Sequence, residues 1–247
     1  MTPVLILAGA AASPTCDAGE VAASVTKRLG AGTVMMVDAF ELASATWSHR
    51  IKDAVACTTV QLRSGQTIRT NEVGAVLNRV RSLPPMGFAR SSERERAYAE
   101  TELQALFVSF LQGFAGKVTN GVDGHGPLGL WSSTRWAMLA HRSGIRTLES
   151  CVTTGARRVT NLASRSTSTV VVVGARAFGA ASPEERDRCV ELGRLAGCDT
   201  IGIDFDASSE RELIAVDPFP PLRGEVADAV AMLLCDRASA TTALVAS

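Results

Sequence analysis

Apolar runs and amphipathic stretches alternate from the first residues of the chain. Val4–Ala8 is continuously apolar, which is typical of a strand buried on both faces of a sheet. The stretch 18–30 follows Asp17, carries Glu20 at capping-box spacing and ends at glycine, which predicts a helix. The next apolar run, "TVMMVDAF", predicts a second strand. A strand–helix–strand opening of this kind indicates a parallel sheet.

The pattern then changes twice before the middle of the chain. Residues 46–80 contain short strand-like runs, and "RSGQ" between two of them predicts a hairpin turn. Residues 92–115 have apolar side chains at helical spacing, including Tyr98, Leu103 and Phe107, and predict the most regular helix. Residues 151–168 are small, polar and without a pattern, which indicates a connector between two lobes.

After the connector, "TVVVVGARAFGAA" predicts a hairpin that turns at Gly174, and "TIGIDFD" and "ELIAVDPF" predict two paired strands. Two predicted helices, one beginning near residue 183 and the other near residue 224, complete this part. We therefore expect an α/β protein with an N-terminal parallel or mixed sheet flanked by helices, followed by a smaller α+β lobe. The expected bounds are 1–150 for the first domain, 151–168 for the connector, 169–238 for the lobe and 239–247 for a flexible tail.

Composition narrows the possible partners. The 25 basic and 25 acidic residues cancel, so no overall field attracts nucleic acid or an anionic membrane. The six cysteines are scattered without a metal-ligand spacing, which indicates free thiols in a reducing compartment. No apolar run is long enough to span a membrane, and we expect a cytoplasmic protein. The three histidines lie far apart in sequence, which favours surface or hydrogen-bonded histidines over a catalytic base.

Two carboxylates on neighbouring predicted strands are the clearest candidates for chemistry. Asp204 follows Ile201 and Ile203, and Asp217 precedes Pro218 on the next strand. Facing side chains of adjacent antiparallel strands lie a few ångströms apart, so both acids are within reach of one Mg²⁺ ion. The alternative is that both acids cap turns at strand ends, where aspartate is common.

An arginine pair provides a second candidate site. Arg79 and Arg81 follow a predicted buried strand, at the end where α/β sheets bind ligands. Their guanidinium groups suit carboxylates or phosphates. The alternative is that both are solvated surface residues. The glycine-rich motifs of dinucleotide-binding and P-loop proteins are missing from the sequence, so neither predicts a nucleotide site here.

The order of these elements resembles the ATP-grasp superfamily, especially the carboxylate–amine ligases related to ribosomal-protein glutamate ligase, glutathione synthetase and microviridin-type peptide ligases. "DAGEVAASVTKRLGAGTVMMVD", "ERAYAETELQALFVSFLQGF" and "LWSSTRWAMLAHRSGIRTLES" are similar to their pre-ATP-grasp domain. "VVVVGARAFGAA", "TIGIDF" and "LIAVDPFPPL" are similar to the end of their catalytic lobe. The resemblance covers most of residues 1–238. It implies that ATP and Mg²⁺ activate a carboxylate as an acyl phosphate, which an amine converts to an amide.

Two departures from the family concern its phosphate and metal ligands. Relatives carry a lid with phosphate-binding lysines where this chain has only residues 151–168, and no lysine follows Lys117. The resemblance assigns Asp204 and Asp217 to the metal, but relatives read Glu-x-Asn-Pro where this chain reads Ala215-Val216-Asp217-Pro218. The cations available in place of the lid lysines are arginines. We assign Arg157 and Arg158 to nucleotide binding, and Arg176, together with Arg79, to catalysis.

Three functions follow from this comparison of motifs. The missing lid and glutamate favour a degenerate ATP-grasp-like protein that acts as a binding or assembly partner. In that case a second copy or another protein covers the face from which the lid is missing. The first alternative is a minimal ATP- and Mg²⁺-dependent ligase acting on a peptide, an amino-acid derivative or a one-carbon-carrier cofactor. The second is an α/β protein that binds a small molecule.

Overall fold

A computed structural model describes residues 2–9, 17–53, 55–88, 90–114, 116–123, 126–127, 131–147, 167–206 and 211–246. The chain divides into two compact units. Unit 1 consists of Met1–Pro127 with Pro221–Ser247, and unit 2 consists of Leu128–Pro220. None of the helices in these described ranges is long and apolar enough to cross a membrane.

Unit 1 contains a parallel sheet, as the alternating pattern predicted. Its strands are β1 (Val4–Ala8), β2 (Val34–Asp38), β3 (Thr46–Lys52), β4 (Val55–Gln61), β5 (Thr67–Arg69), β6 (Ala75–Asn78), β7 (Val118–Thr119), β8 (Val122–Asp123) and β9 (Gly126–Pro127). Its helices are α1 (Ala18–Leu29), α2 (Ala39–Ala43), α3 (Glu93–Gln112) and α6 (Glu225–Ala246). The parallel sheet has the strand order β2-β1-β6-β7, β3-β4-β5 form a separate antiparallel sheet, and β8 pairs with β9.

Helix α3 provides the aromatic centre of the unit 1 core. Phe107, Phe110 and Phe114 are fully buried, and the Phe110 ring packs edge-on against Trp47 with 5.0 Å between ring centroids. Tyr98 does not join them, because 67% of its surface is exposed on the first half of the helix. The apolar face predicted to run from Tyr98 therefore begins later, at the turn where α3 meets the sheets.

The C-terminal helix packs in unit 1 and not in the lobe 169–238 to which the sequence analysis assigned it. Helix α6 contacts α1 and the parallel sheet, and the Ser24 hydroxyl donates to Asp228 Oδ1 over 2.6 Å. The expected flexible tail 239–247 is instead helical as far as Ala246. The Thr241 hydroxyl donates to the carbonyl oxygen of Gly74 over 3.1 Å. Contacts with residues distant in sequence therefore order a segment whose composition alone predicts fraying.

Unit 2 has a sheet covered by two helices. Its strands β10 (Thr167–Val173), β11 (Arg176–Phe178), β12 (Thr200–Asp206) and β13 (Leu213–Asp217) form an antiparallel sheet in the order β11-β10-β12-β13. Helices α4 (Ser133–Arg142) and α5 (Pro183–Ala196) pack on one face of it. The strand predicted in "IRTLES" is reduced, among its described residues, to one parallel bridge between Thr147 and Leu213.

The first turn of α5 forms the capping box that the sequence predicted. The Ser182 hydroxyl accepts from the Glu185 N–H, and the Glu185 carboxylate accepts from the Ser182 N–H over 2.8 Å. This second bond lowers the pKa of Glu185. Arg211 Nε lies 2.8 Å from Glu185 Oε1 as an ion pair, although its N–H is not aligned as a hydrogen bond. These contacts hold the start of α5, which buries Cys189 and Leu192 one and two turns further along the side of Glu185.

We expect Ser182→Ala to lower the free energy of unfolding by about 1 kcal/mol, because the helix loses one partner of its N-terminal N–H groups. The Glu185 carboxylate makes its own contribution to the free energy of unfolding. That contribution is fully present above the ordinary carboxyl pKa, and it is lost as the pH falls through the lowered pKa of Glu185 in the folded state. Urea titration followed by tryptophan fluorescence measures the loss, with the exposed Ser64→Ala as control. An equal midpoint for Ser182→Ala and wild type would contradict the role of the capping box.

The described cysteines are free thiols, as predicted, but they differ in environment. Burial raises the pKa of the Cys189 thiol to about 12, whereas Cys57 is exposed. At pH 8 a thiol with such a pKa is about one part in ten thousand thiolate, and the thiolate is the reactive form. We therefore expect iodoacetamide to modify Cys57 in the folded protein and Cys189 only after unfolding. Peptide mass spectrometry checks this, and rapid modification of folded Cys189 would contradict it.

Candidate active site

Asp204 and Asp217 lie on the same face of the unit 2 sheet. In the antiparallel pairing of β12 with β13, Asp204 is opposite Ala215 and Gly202 is opposite Asp217. Opposed residues share a face and side chains alternate along a strand, so both carboxylates project to one side as diagonal neighbours. Such neighbours are about 7–8 Å apart between Cα atoms, a separation that two side chains bridge through one cation.

Packing of the other face determines this orientation. Ile201 and Ile203 are fully buried against α4 and α5, opposite Val172 and Val170 of β10. Gly202 and Asp204, which alternate with these isoleucines, therefore point away from that core. Asp204 is half-buried, and its Oδ1 accepts a hydrogen bond of 2.5 Å from the hydroxyl of Thr169 directly across on β10. The sequence analysis gave Thr169 no role, because its pairing with Asp204 depends on the register.

Asp217 also caps the turn that follows β13. Its Oδ1 accepts from the Phe219 N–H over 2.9 Å, as in the alternative interpretation of a turn-capping aspartate. A Cβ atom on Gly202 would lie 3.0 Å from Pro220 Cβ, so the turn passes closely over the sheet at that glycine. The cap does not exclude metal binding, since a carboxylate has about four acceptor positions and one donor uses one of them.

The metal-ligand set on this face is small. Within the ranges that the structure describes, no three histidine, cysteine, aspartate or glutamate side chains are grouped so that they could hold an ion. The register places Ala215, the position of the glutamate in the resembled family, directly opposite Asp204, and its side chain is exposed. Two carboxylates still fit Mg²⁺, which prefers oxygen ligands and usually keeps waters and substrate phosphates as the others.

Arg176 is on the same face as the two carboxylates. It pairs with Val173 of β10, which pairs with Thr200 of β12, and Thr200 and Asp204 share a face by alternation. Arg176 lies two strands across from β12, about 10 Å, and its level on that strand is Thr200, four residues or about 13 Å along the strand from Asp204. The exposed guanidinium lies over the Phe178 ring, 4.9 Å from the centroid. Arg176 is therefore a cation on the face that carries the two carboxylates, about 16 Å from Asp204 between Cα atoms.

The remaining predicted residues lie elsewhere. Arg79 is in unit 1 at the carboxyl end of β6, where it is 7% exposed and its N–H donates to the carbonyl of Leu7. The neighbouring Asn78 is 4% exposed; its Oδ1 accepts from the Val80 N–H, while its Nδ2 is buried without a hydrogen-bond partner. Arg79 is thus not the solvated residue of the alternative interpretation. Arg157 and Arg158 lie outside the described residues.

A stack of cationic and aromatic side chains was also missed by sequence reasoning. The Arg135 guanidinium lies 3.6 Å from the centre of the Trp131 ring, and the Trp131 and Trp136 ring centroids are 5.0 Å apart. The sequence feature that could have predicted it is the spacing of four residues between Trp131 and Arg135 at the start of α4. We have no functional account of this stack.

Solved structures of similar architecture cover nearly all of the chain. A RiPP-associated ATP-grasp ligase from Chryseobacterium gregarium, in complex with ADP and a leader and core peptide, matches with a TM-score of 0.72 at 14% identity, over 96% of this chain and 97% of that one. The macrocyclase MdnC from Microcystis aeruginosa MRC, bound with its precursor peptide MdnA, matches with a TM-score of 0.71 at 11% identity, over 95% and 99%.

The ATP-grasp ligase PsnB, complexed with precursor peptide PsnA2 and AMPPNP, matches with a TM-score of 0.70 at 14% identity, over 97% of this chain and 99% of that one. No protein-family model matches the sequence, and no curated protein matches it either. At these identities the likeness concerns the fold alone. It confirms the resemblance in the order of elements: this chain has the fold of the ATP-grasp ligases.

Proposed function

We propose that the protein is an ATP- and Mg²⁺-dependent ligase that joins a carboxylate of a peptide to an amine through an acyl phosphate. The observation that carries the proposal is the placement of Asp204 and Asp217 on one sheet face of an ATP-grasp ligase fold. The similar proteins include ligases solved with ADP or AMPPNP and with peptides, which supports a nucleotide cofactor and a peptide substrate.

In this proposal Asp204 and Asp217 hold Mg²⁺, and Thr169 orients Asp204 through the bond to its Oδ1. When bound, the ion neutralises the charge that develops on the transferring phosphoryl group. Arg176 is assigned to an anionic group of the nucleotide or substrate that lies farther from the ion, since a guanidinium group suits phosphate and carboxylate oxygens. Arg157 and Arg158 bind the nucleotide in place of the lid lysines of the resembled family.

Arg79 has a separate task in unit 1. A buried guanidinium at the carboxyl end of a parallel strand is suited to a carboxylate. The adjacent residue, Asn78, has a buried Nδ2 without a hydrogen-bond partner, which is a donor for a bound group. We assign this end of β6 to the carboxylate of the substrate. The assignment makes the substrate acidic, as a carboxylate–amine ligase requires.

One observation favours a second candidate, a degenerate protein that keeps the fold without ligation. Ala215 occupies the position opposite Asp204 where the resembled family has a metal-bridging glutamate. A protein of this kind would act as a binding or assembly partner. The two candidates differ in nucleotide binding, which is directly measurable.

We expect wild type to bind ATP with micromolar affinity when Mg²⁺ is present, and Asp204→Asn to weaken this binding at least about tenfold, roughly 1.4 kcal/mol. The physical reason is the loss of one of two charged ligands of the ion. Isothermal titration with and without Mg²⁺ measures both values. The control is Asp187→Asn, which removes the same charge from an exposed position of α5. This helix packs on the other face of the sheet. Wild type that fails to bind at millimolar ATP would support the degenerate protein instead.

A gain-of-ligand variant tests the geometry independently. We expect Ala215→Glu to strengthen Mg²⁺-dependent ATP binding several-fold, because the exposed position is opposite Asp204 and the new carboxylate adds a charged oxygen ligand. Ala215→Gln is the matched control of equal size without the charge. Equal affinities for the glutamate and glutamine variants would show that this face does not hold the ion.

A further inference from the structure

A cleft of about 1050 Å³ in unit 1 lies between residues 81–85 and one side of α3. One wall is apolar, with Leu83, Pro84 and Pro85, and α3 adds Val108 to it. Charged and polar residues also line the cleft, among them Arg81, Glu100, Gln104 and Gln112. The cleft contains none of the residues assigned to the metal or the nucleotide. Its volume is slightly above the range of about 300–1,000 Å³ that is usual for sites of small organic molecules.

Ser109 opens into this cleft from α3 and has a histidine behind it. The Ser109 Oγ lies 2.9 Å from His49 Nε2, and His49 Nδ1 lies 2.7 Å from Thr58 Oγ1. Ser109 is partly exposed, whereas Thr58 is fully buried. The three side chains thus form a line from the core to the cleft. A hydroxyl, an imidazole that contacts it and a third group that orients the imidazole are the parts of an activated nucleophile.

The fold holds this line rigidly. His49 and Thr58 are a directly opposed pair of β3 and β4, so both side chains project from the same face of the sheet. That face packs on α3 through the edge-on contact of Trp47 with Phe110, next to Ser109. The buried Thr70 accepts from the Thr58 N–H over 3.2 Å through its hydroxyl. A base whose position is determined by a sheet and a packed helix keeps its distance to the nucleophile.

We propose that Ser109 is the nucleophile of a second activity, the hydrolysis of small apolar esters in this cleft, with His49 as its general base. Thr58 is a positioning residue that accepts Nδ1–H, so that Nε2 accepts the Ser109 proton. Ser109 Oγ bonds to the ester carbonyl carbon, the bond from that carbon to the alkoxy oxygen breaks, and His49 passes the proton to the leaving alcohol. Water then attacks the acyl-serine, transfers its proton through His49, and releases the acid and the free hydroxyl.

The surrounding side chains define the class of ester. Gln112 lies three residues along α3 from Ser109, on the same side of the helix, and also lines the cleft, so its amide is the donor that we assign to the oxyanion on the carbonyl oxygen. The apolar wall at residues 83–85 suits a short aliphatic acyl chain, since it offers contact area without donors. The expected substrates are therefore esters with short aliphatic acyl groups.

The test is covalent labelling of the full chain with a fluorophosphonate, a probe that reacts with activated serine hydroxyls, in EDTA and without nucleotide. We expect tandem mass spectrometry to locate the adduct on Ser109 and not on Ser82, which lines the same cleft without a histidine partner. The same protein should hydrolyse p-nitrophenyl butyrate. Because neither metal nor ATP is present, the outcome is independent of the ligase proposal.

Variants separate catalysis from a structural cross-link between β3 and α3. His49→Gln should slow labelling at least about 100-fold, the usual contribution of a general base. Thr58→Val should slow it while Thr58→Ser restores it, and Ser64→Ala, an exposed turn residue, should leave it unchanged. An unlabelled Ser109 in folded wild type, or equal rates at Ser109 and Ser82, overturns the proposal without any variant. An equal labelling rate in folded His49→Gln overturns it as well.

Discussion

The alternation of side chains along β12 is the constraint on which the candidate active site depends. Ile201 and Ile203 are fully buried under α4 and α5, and burial of each contributes about 1.5–3 kcal/mol relative to exposure. A slip of one residue in register would bring Gly202 and Asp204 into the core and turn the isoleucines to the other side. The energy of that core therefore keeps Asp204 on the open face. The carboxylate needs no interaction of its own to be placed there.

Asp217, at the end of β13, is positioned by interactions different from those that orient Asp204. The register between β12 and β13 shifts between Asp204 and Phe205. The pairing that contains Asp217 is therefore independent of the pairing of Phe205 with Leu213. Gly202 lacks the side chain that would keep Pro220 away, and the Phe219 N–H holds the Asp217 carboxylate at the turn. The second carboxylate is therefore oriented by a local hydrogen bond and a close backbone approach, and the first by packing.

Short stretches of sequence were sufficient to predict those features whose geometry is determined within a few residues. The cap at Ser182, the turn at Gly174 and the strand pair of β12 and β13 followed from short stretches of sequence, because capping, positive φ and alternation act within a few residues. The packing of α6 on α1 could not follow in this way, since its partners are about two hundred residues apart. The hydrogen-bonded line from Ser109 through His49 to Thr58 likewise joins α3 to two strands, and no spacing of residues along the chain predicts it.

In the proposed ligase, the small ligand set also determines how metal and nucleotide binding depend on each other. A site with a bridging glutamate supplies three charged side chains, whereas here the register leaves two carboxylates and an alanine opposite Asp204. Mg²⁺ dehydrates reluctantly, and two carboxylates hold it weakly unless phosphate oxygens complete the shell. Each ligand then raises the affinity for the other by the same factor, because coupling between two binding events is reciprocal. In the proposed ligase, Ala215 at the position of the family's glutamate therefore gives a site in which ion and nucleotide bind together, and not one that holds the ion in advance.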